Sequence, residues 1–189
     1  TIIPRGRALG VTMTLPERDH VSVPRLWLEN KLAMVFGGRI AEELIFGYDA
    51  VTTGAASDIQ HATNLAKKMV TEWGLSEKMG FRSYAESNES YLGGHSGNPG
   101  GVSDETARQI DLEVRSIIDR NYARAVEVLE ADIDKLHKMA EVLLEIETID
   151  ASQVEDIMEG RSIRGTEAHR NHDPASLDIS GPPKVDIVS

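Results

Sequence analysis

The apolar residues of this chain recur mostly at intervals of three and four, the spacing that places side chains on one face of an α-helix. A first such stripe between Ser22 and Gly47 predicts one long helix that ends at the glycine. A second predicted helix begins at Ser57, which has with Gln60 the spacing of a capping box. The two stripes consist of Leu28, Leu32, Val35, Phe36, Ile40 and Leu44, followed by Ile59, Ala62, Ala66, Met69, Val70 and Trp73.

Periodicity stops between Phe81 and Val102, where glycine and serine are frequent, and this composition predicts a loop. Helical spacing returns after Ser103, which is a favourable N-cap residue. Acidic residues cluster from Glu130 to Asp134, and acids favour a helix N-terminus. We therefore predict two consecutive helices with a break near residues 130–132, a single continuous helix being the alternative.

The two ends of the chain differ from its helical middle. Leu9, Val11, Met13 and Leu15 alternate with small residues, a period of two that predicts a short strand or hairpin arm. Near the other end a short helix from Ala151 is predicted, and no pattern is visible over residues 161–189. The predicted fold is therefore mainly α, with a small β element at the N-terminus, one domain over residues 1–160, and a flexible tail over residues 161–189.

Composition narrows the possible functions. The 189 residues contain 20 Lys and Arg against 31 Asp and Glu, a formal charge of −11, which argues against a nucleic-acid partner. There are no cysteines, so disulfides and thiolate metal sites are excluded. No apolar run approaches the roughly 20 residues of a transmembrane helix, so this chain is expected to be soluble.

Asp58 is the first candidate functional residue, because it lies in the first turn of a predicted helix. Its carboxylate could simply interact favourably with the helix dipole, or it could be a metal ligand. Glu42 and Glu43 are rival carboxylate ligands, although charged residues near a helix end are commonly solvated. His61 could share an ion with Asp58, but a surface or packing role is the simpler interpretation, and the remaining histidines show no ligand spacing.

Four blocks of sequence occur in an order that resembles one known family. They are T-I-I-P-R-G-R-A-L-G-V-T, F-G-G-R-I-A-E-E-L-I-F-G, T-T-G-A-A-S-D-I-Q-H-A-T and M-V-T-E-W-G-L-S-E-K-M-G, and S-D-E-T-A-R follows them. This pattern is similar to the peptidase domain of the FtsH family of ATP-dependent zinc metalloproteases. The resemblance implies that Asp58 is a zinc ligand. It also implies that Gly37-Gly38, each of which costs a helix about 1 kcal/mol relative to alanine, accommodates a neighbouring metal-binding helix.

The chain departs from the family pattern in one respect. Members carry a His-Glu-x-x-His helix upstream of T-I-I-P-R-G-R, and no such motif occurs here. A catalytic zinc site needs three protein ligands, an open position for water and a base. We therefore expect two zinc ligands and the general base to lie upstream of Thr1, and this chain to be inactive alone. The alternative is a non-catalytic helical module that supports oligomerisation.

The resemblance also implies partners and a location. ATP and Mg would be bound by a separate ATPase module, and the substrates would be unfolded or membrane proteins. Six copies would form a ring, anchored by an upstream segment with the protease domain on the cytoplasmic side, most simply of a bacterial inner membrane. The substrate backbone would add to the strand containing Ala8, Leu9, Gly10 and Val11.

Overall fold

The computed structural model describes residues 1–6, 9–13, 22–84 and 102–164. Contacts divide the chain into two compact units, residues 15–136 and residues 1–14 together with 137–189. None of the helices in the described ranges combines the length and the apolar composition that a membrane span requires. The helices are α1 (Arg25–Val35), α2 (Gly37–Phe46), α3 (Ala56–Thr71), α4 (Asp104–Ala131), α5 (Ile133–Ile146) and α6 (Ala151–Met158), with 3-10 turns at Tyr48–Ala50 and Thr53–Ala55.

The first predicted helix is two helices, α1 and α2, separated at Phe36. Phe36 is buried, and its ring lies edge-on to that of Tyr122 at a centroid distance of 5.5 Å. Two glycines follow it, and their low helix propensity permits the interruption. A Cβ atom at Gly37 or Gly38 would meet no atom within 4 Å, so the neighbouring backbone expected at this pair is not found among the described residues. The predicted end at Gly47 is confirmed, with φ at +79°.

Helix α4 organises the unit of residues 15–136, because α1, α2 and α3 all pack against it. The apolar stripes predicted for these helices supply the shared core, although Ile59 and Trp73 are exposed. Burial of these side chains is the main force that holds α3 in place. The core consists of Leu28, Leu32, Phe36, Ile40, Ala62, Ala66, Met69, Val70, Met79, Ile110, Ile117 and Ala125.

Both boundaries predicted for α4 are confirmed. The Ser103 hydroxyl accepts a hydrogen bond from the Thr106 N–H at 3.3 Å, so it caps the helix. Asp132 leaves the helical conformation at φ −117° and ψ 29°, and α5 begins at the next residue. The 85–101 segment of the predicted loop lies outside the described residues.

In the other unit, the predicted N-terminal β-strand or hairpin is not found. Across residues 1–6 and 9–13 the β structure is limited to an isolated bridge at Arg5. Thr1 and Val11 exchange two backbone hydrogen bonds, at 3.1 and 2.9 Å, and Ile2 donates to the Glu147 carbonyl at 2.9 Å. Alternation alone does not make a strand, since a strand also needs a paired neighbour along its length. Residues 7–8 and 14–21 lie outside the described part.

The C-terminal helix α6 begins as predicted. Asp150 and Gln153 form a reciprocal capping box, and Gly160 beyond its end has φ at +68°. The buried Asp156 carboxylate accepts hydrogen bonds from Arg161 and Arg164 at 2.8–2.9 Å. The first residues of the predicted flexible tail are therefore bonded to α6, and residues 165–189 lie outside the described part.

An ion pair between a buried glutamate and an exposed lysine joins α4 to the segment that follows α3. Lys78 Nζ lies 2.8 Å from an oxygen of Glu113, which is buried. Burial alone would raise the pKa of Glu113, but Lys78 and Ser76 outweigh it, so the pKa lies below its ordinary value of 4.5. A carboxyl with a lowered folded-state pKa stabilises the fold above its unfolded pKa, and this contribution is lost as the pH falls through the folded value.

We expect Lys78→Met to lower the free energy of unfolding at pH 7 by about 1–3 kcal/mol, because it leaves the Glu113 charge buried without its partner. The difference from the wild type should shrink at pH 4 and below, where Glu113 becomes protonated more readily in the variant. Urea denaturation across this pH range measures both. Lys67→Met, at an exposed lysine of α3, is the control. An equal loss at every pH would contradict the ion-pair explanation.

Candidate functional site

Asp58 lies in the first turn of α3 and is exposed. No hydrogen bond or ion pair joins its carboxylate to any other residue in the described ranges. A negative charge in the first turn of a helix interacts favourably with the helix dipole. Asp58 is thus an anionic oxygen donor that faces solvent and is not neutralised by a neighbouring cation of the described chain.

The helix does not begin as predicted. Ala55 is the N-cap residue and makes no side-chain capping bond, so the predicted capping box of Ser57 and Gln60 is wrong. The reason is that the preceding 3-10 turn continues directly into α3, with Ala56 already helical at φ −59° and ψ −41°. Ser57 is consequently inside the helix, where its hydroxyl cannot act as the N-cap.

The turn before α3 is fixed by Thr52. This residue is extended, and its hydroxyl accepts a hydrogen bond from the Gly54 N–H at 3.2 Å. Its own N–H donates to the Glu42 carboxylate at 3.1 Å. One residue therefore joins α2, through Glu42, to the 3-10 turn that leads to Asp58.

Glu43 connects α2 to α4. Tyr122 donates its hydroxyl hydrogen to Glu43 at 2.9 Å, and Arg39 lies 3.7 Å away on the same oxygen. Burial, together with this hydrogen bond, raises the pKa of Tyr122. The Arg39 guanidinium also lies over the Tyr48 ring, 5.9 Å from its centroid. Both rival carboxylates, Glu42 and Glu43, thus bond to the protein itself.

A metal ion would need more ligands than this neighbourhood supplies. Among the described residues, no three His, Cys, Asp or Glu side chains are grouped so that they could hold a metal ion. His61 is exposed one helical turn after Asp58 and completes no such set. The unpaired Asp58 carboxylate nonetheless fits the chemistry of a single oxygen ligand, because zinc accepts Asp and Glu oxygens beside imidazole nitrogens.

The residues predicted to bind substrate lie in the other unit. Leu9 is 85% exposed, whereas the N–H and the carbonyl of Val11 both bond to Thr1. A Cβ atom at Gly10 would lie 2.9 Å from the Thr1 carbonyl oxygen, so the glycine is required by this contact. Ala8 lies outside the described residues.

The sequence alone did not identify the residues that hold the 3-10 turn before α3. Thr52 could have been found, because a threonine two residues before a glycine is a known side-chain turn motif. The bond between Tyr122 and Glu43 could not, since the two residues are 79 positions apart and Tyr122 belongs to an apolar stripe.

Comparison with known proteins gives consistent matches. The sequence model of peptidase family M41 matches residues 1–157. The chain is 53% identical over 163 residues to an ATP-dependent zinc metalloprotease FtsH of Photobacterium profundum, covering 86% of this chain and 23% of the relative. Relatives with the same description in Buchnera aphidicola subsp. Acyrthosiphon pisum and Haemophilus influenzae are 53% and 50% identical, over 87% and 84% of this chain and 27% and 25% of their own lengths. The chain spans about a quarter of the length of these relatives.

Proposed function

Because the chain belongs to peptidase family M41, we propose that it is part of an ATP-dependent zinc metalloendopeptidase in which Asp58 is a zinc ligand. The observation that carries this proposal is the exposed Asp58 carboxylate, which has no partner among the described residues and lies at a helix entrance within T-T-G-A-A-S-D. Glu42 and Glu43, the rival carboxylates, are each bonded to the protein instead.

The reaction is peptide-bond hydrolysis. When bound, zinc polarises the scissile carbonyl and lowers the pKa of a water molecule. Asp58 would contribute one anionic oxygen to hold the ion, and the turn from Thr52 to Ala55 would determine the position of that oxygen. We propose that the segment containing Ala8, Leu9, Gly10 and Val11 binds the substrate backbone, with exposed Leu9 as an accessible side chain.

The remaining zinc ligands and the general base are proposed to lie outside these 189 residues. Two imidazole ligands and a glutamate base would come from a His-Glu-x-x-His helix, a motif that these residues do not contain. We propose that such a helix packs at Gly37-Gly38, where the described residues leave open space. The helix would then lie beside α2, whose Glu42 holds the turn before Asp58.

The wider assignment follows the same proposal. A separate module would bind ATP and Mg and drive unfolding of the substrate, and six subunits would form a ring. Unfolded or membrane proteins are the proposed substrates. A membrane anchor elsewhere in the protein would place this domain on the cytoplasmic side, in bacteria at the inner membrane.

Zinc titration of two polypeptides tests the proposal. The intact protein should bind about one zinc ion per subunit, since one three-ligand site is proposed. The 189-residue chain should bind zinc no better than its Asp58→Ala variant and should not cleave casein, because a single carboxylate is not a zinc site. Zinc-dependent cleavage by the 189-residue chain would contradict the proposed division of ligands. An intact protein without bound zinc or protease activity would instead favour the helical oligomerisation module.

A further inference from the structure

We propose that Thr52 is a positioning residue for the metal site, because its two hydrogen bonds fix the turn that delivers Asp58 to the start of α3. The inference rests on the proposed zinc site. The Thr52 hydroxyl accepts a hydrogen bond from the Gly54 N–H at 3.2 Å, and the Thr52 N–H donates to the Glu42 carboxylate at 3.1 Å.

The turn has few other means of being held. Residues 52–54 are exposed, so little apolar burial fixes them. The helix entrance also lacks a side-chain cap, because Ala55 offers no acceptor to the free N–H groups of α3. Thr52 instead accepts from Gly54 inside the preceding 3-10 turn, and that turn runs into the helix without a break.

The consequence for the site follows from the precision that a metal ion requires. Protein ligands must be held within a few tenths of an ångström, and groups that orient a ligand are worth about 10–100-fold in metal affinity. The Asp58 carboxylate makes no bond to the described chain that would orient it. Its position therefore depends on the backbone, and the backbone at this point depends on Thr52.

The hydroxyl can be tested separately from the shape of the side chain. Thr52→Val keeps the β-branched shape but removes the acceptor, whereas Thr52→Ser and Thr52→Asn keep an acceptor. Thr53→Val is the matched control, because the adjacent threonine hydroxyl makes no hydrogen bond with the described residues. The measurement is the zinc dissociation constant of the intact protein, by competition with a chelator, together with its thermal unfolding temperature.

We expect zinc affinity to fall about tenfold in Thr52→Val and to stay within about twofold of the wild type in Thr52→Ser, Thr52→Asn and Thr53→Val, with unfolding temperatures unchanged in all four. Wild-type affinity in Thr52→Val would overturn the inference, as would an equal loss in Thr53→Val or a loss in Thr52→Ser as large as that in Thr52→Val. A wild-type protein that binds no zinc would instead refute the proposed function.

Discussion

Asp58→Asn in the intact protein is expected to slow casein hydrolysis by more than about 100-fold, because even groups that only orient a ligand cost 10–100-fold. Asparagine keeps the size and one carbonyl oxygen of the side chain but removes the negative charge that a zinc ligand supplies. ATP hydrolysis should stay close to the wild-type rate, since the proposed ATP site is a separate module. Casein cleavage, ATPase activity and zinc content should be measured on the same preparation.

Asp104→Asn provides a matched control for this substitution. Asp104 is also an exposed carboxylate in the first turn of a helix, at the start of α4. Its replacement removes the same favourable interaction with a helix dipole, worth about 0.3–1 kcal/mol, and should leave both zinc content and casein cleavage intact. If Asp58→Asn lost both casein cleavage and ATP hydrolysis, Asp58 would have a folding role. If it kept full casein cleavage, Asp58 would not be a zinc ligand.

The helices could be predicted from the sequence because local information specifies them. The apolar stripe of α4, its cap at Ser103 and its end near Asp132 all depend on residues within a few positions of one another. The same holds for Asp150, whose capping partner is three residues away. Where periodicity and caps agree, the element and its boundary follow directly.

Errors arose where distant or competing contacts decide the structure. The apolar stripe of α1 and α2 is continuous in sequence, but the helix is interrupted at Phe36, whose ring contacts Tyr122 of α4. Ser57 and Gln60 have the spacing of a capping box, but the turn at Thr52 starts the helix earlier. Over residues 9–13, the described part of the alternating segment, no strand forms, because pairing depends on a partner that the alternation does not specify.

In the candidate site, too, the local features could be predicted from the sequence and the long-range contacts could not. Asp58 could be found in the sequence because its motif and its place at a helix entrance are local features. The hydrogen bonds to Glu42 and from Tyr122 to Glu43 could not, because they depend on how α2 packs against the turn and against α4. Support for a site is thus harder to predict than the site itself.

Leu32→Ala is expected to lower the free energy of unfolding of the 189-residue chain by about 3 kcal/mol, within the usual range for a buried leucine. Leu32 in α1 has 0% exposure and belongs to the core shared by α1, α3 and α4. Truncation leaves a cavity in this core, because closely packed helices relax only partly around it. Urea denaturation followed by circular dichroism measures the change.

Leu26→Ala separates the loss of core packing from a change in helix propensity. Leu26 lies in the same helix but is 63% exposed, so the same truncation removes little buried surface. Its cost should be below about 0.5 kcal/mol, as for most surface substitutions. Equal losses of stability in the two variants would contradict the described packing of α1. The core that α1 shares with α3, the helix that carries Asp58, would then be described wrongly as well. The difference between the two leucines therefore tests the scaffold independently of any metal.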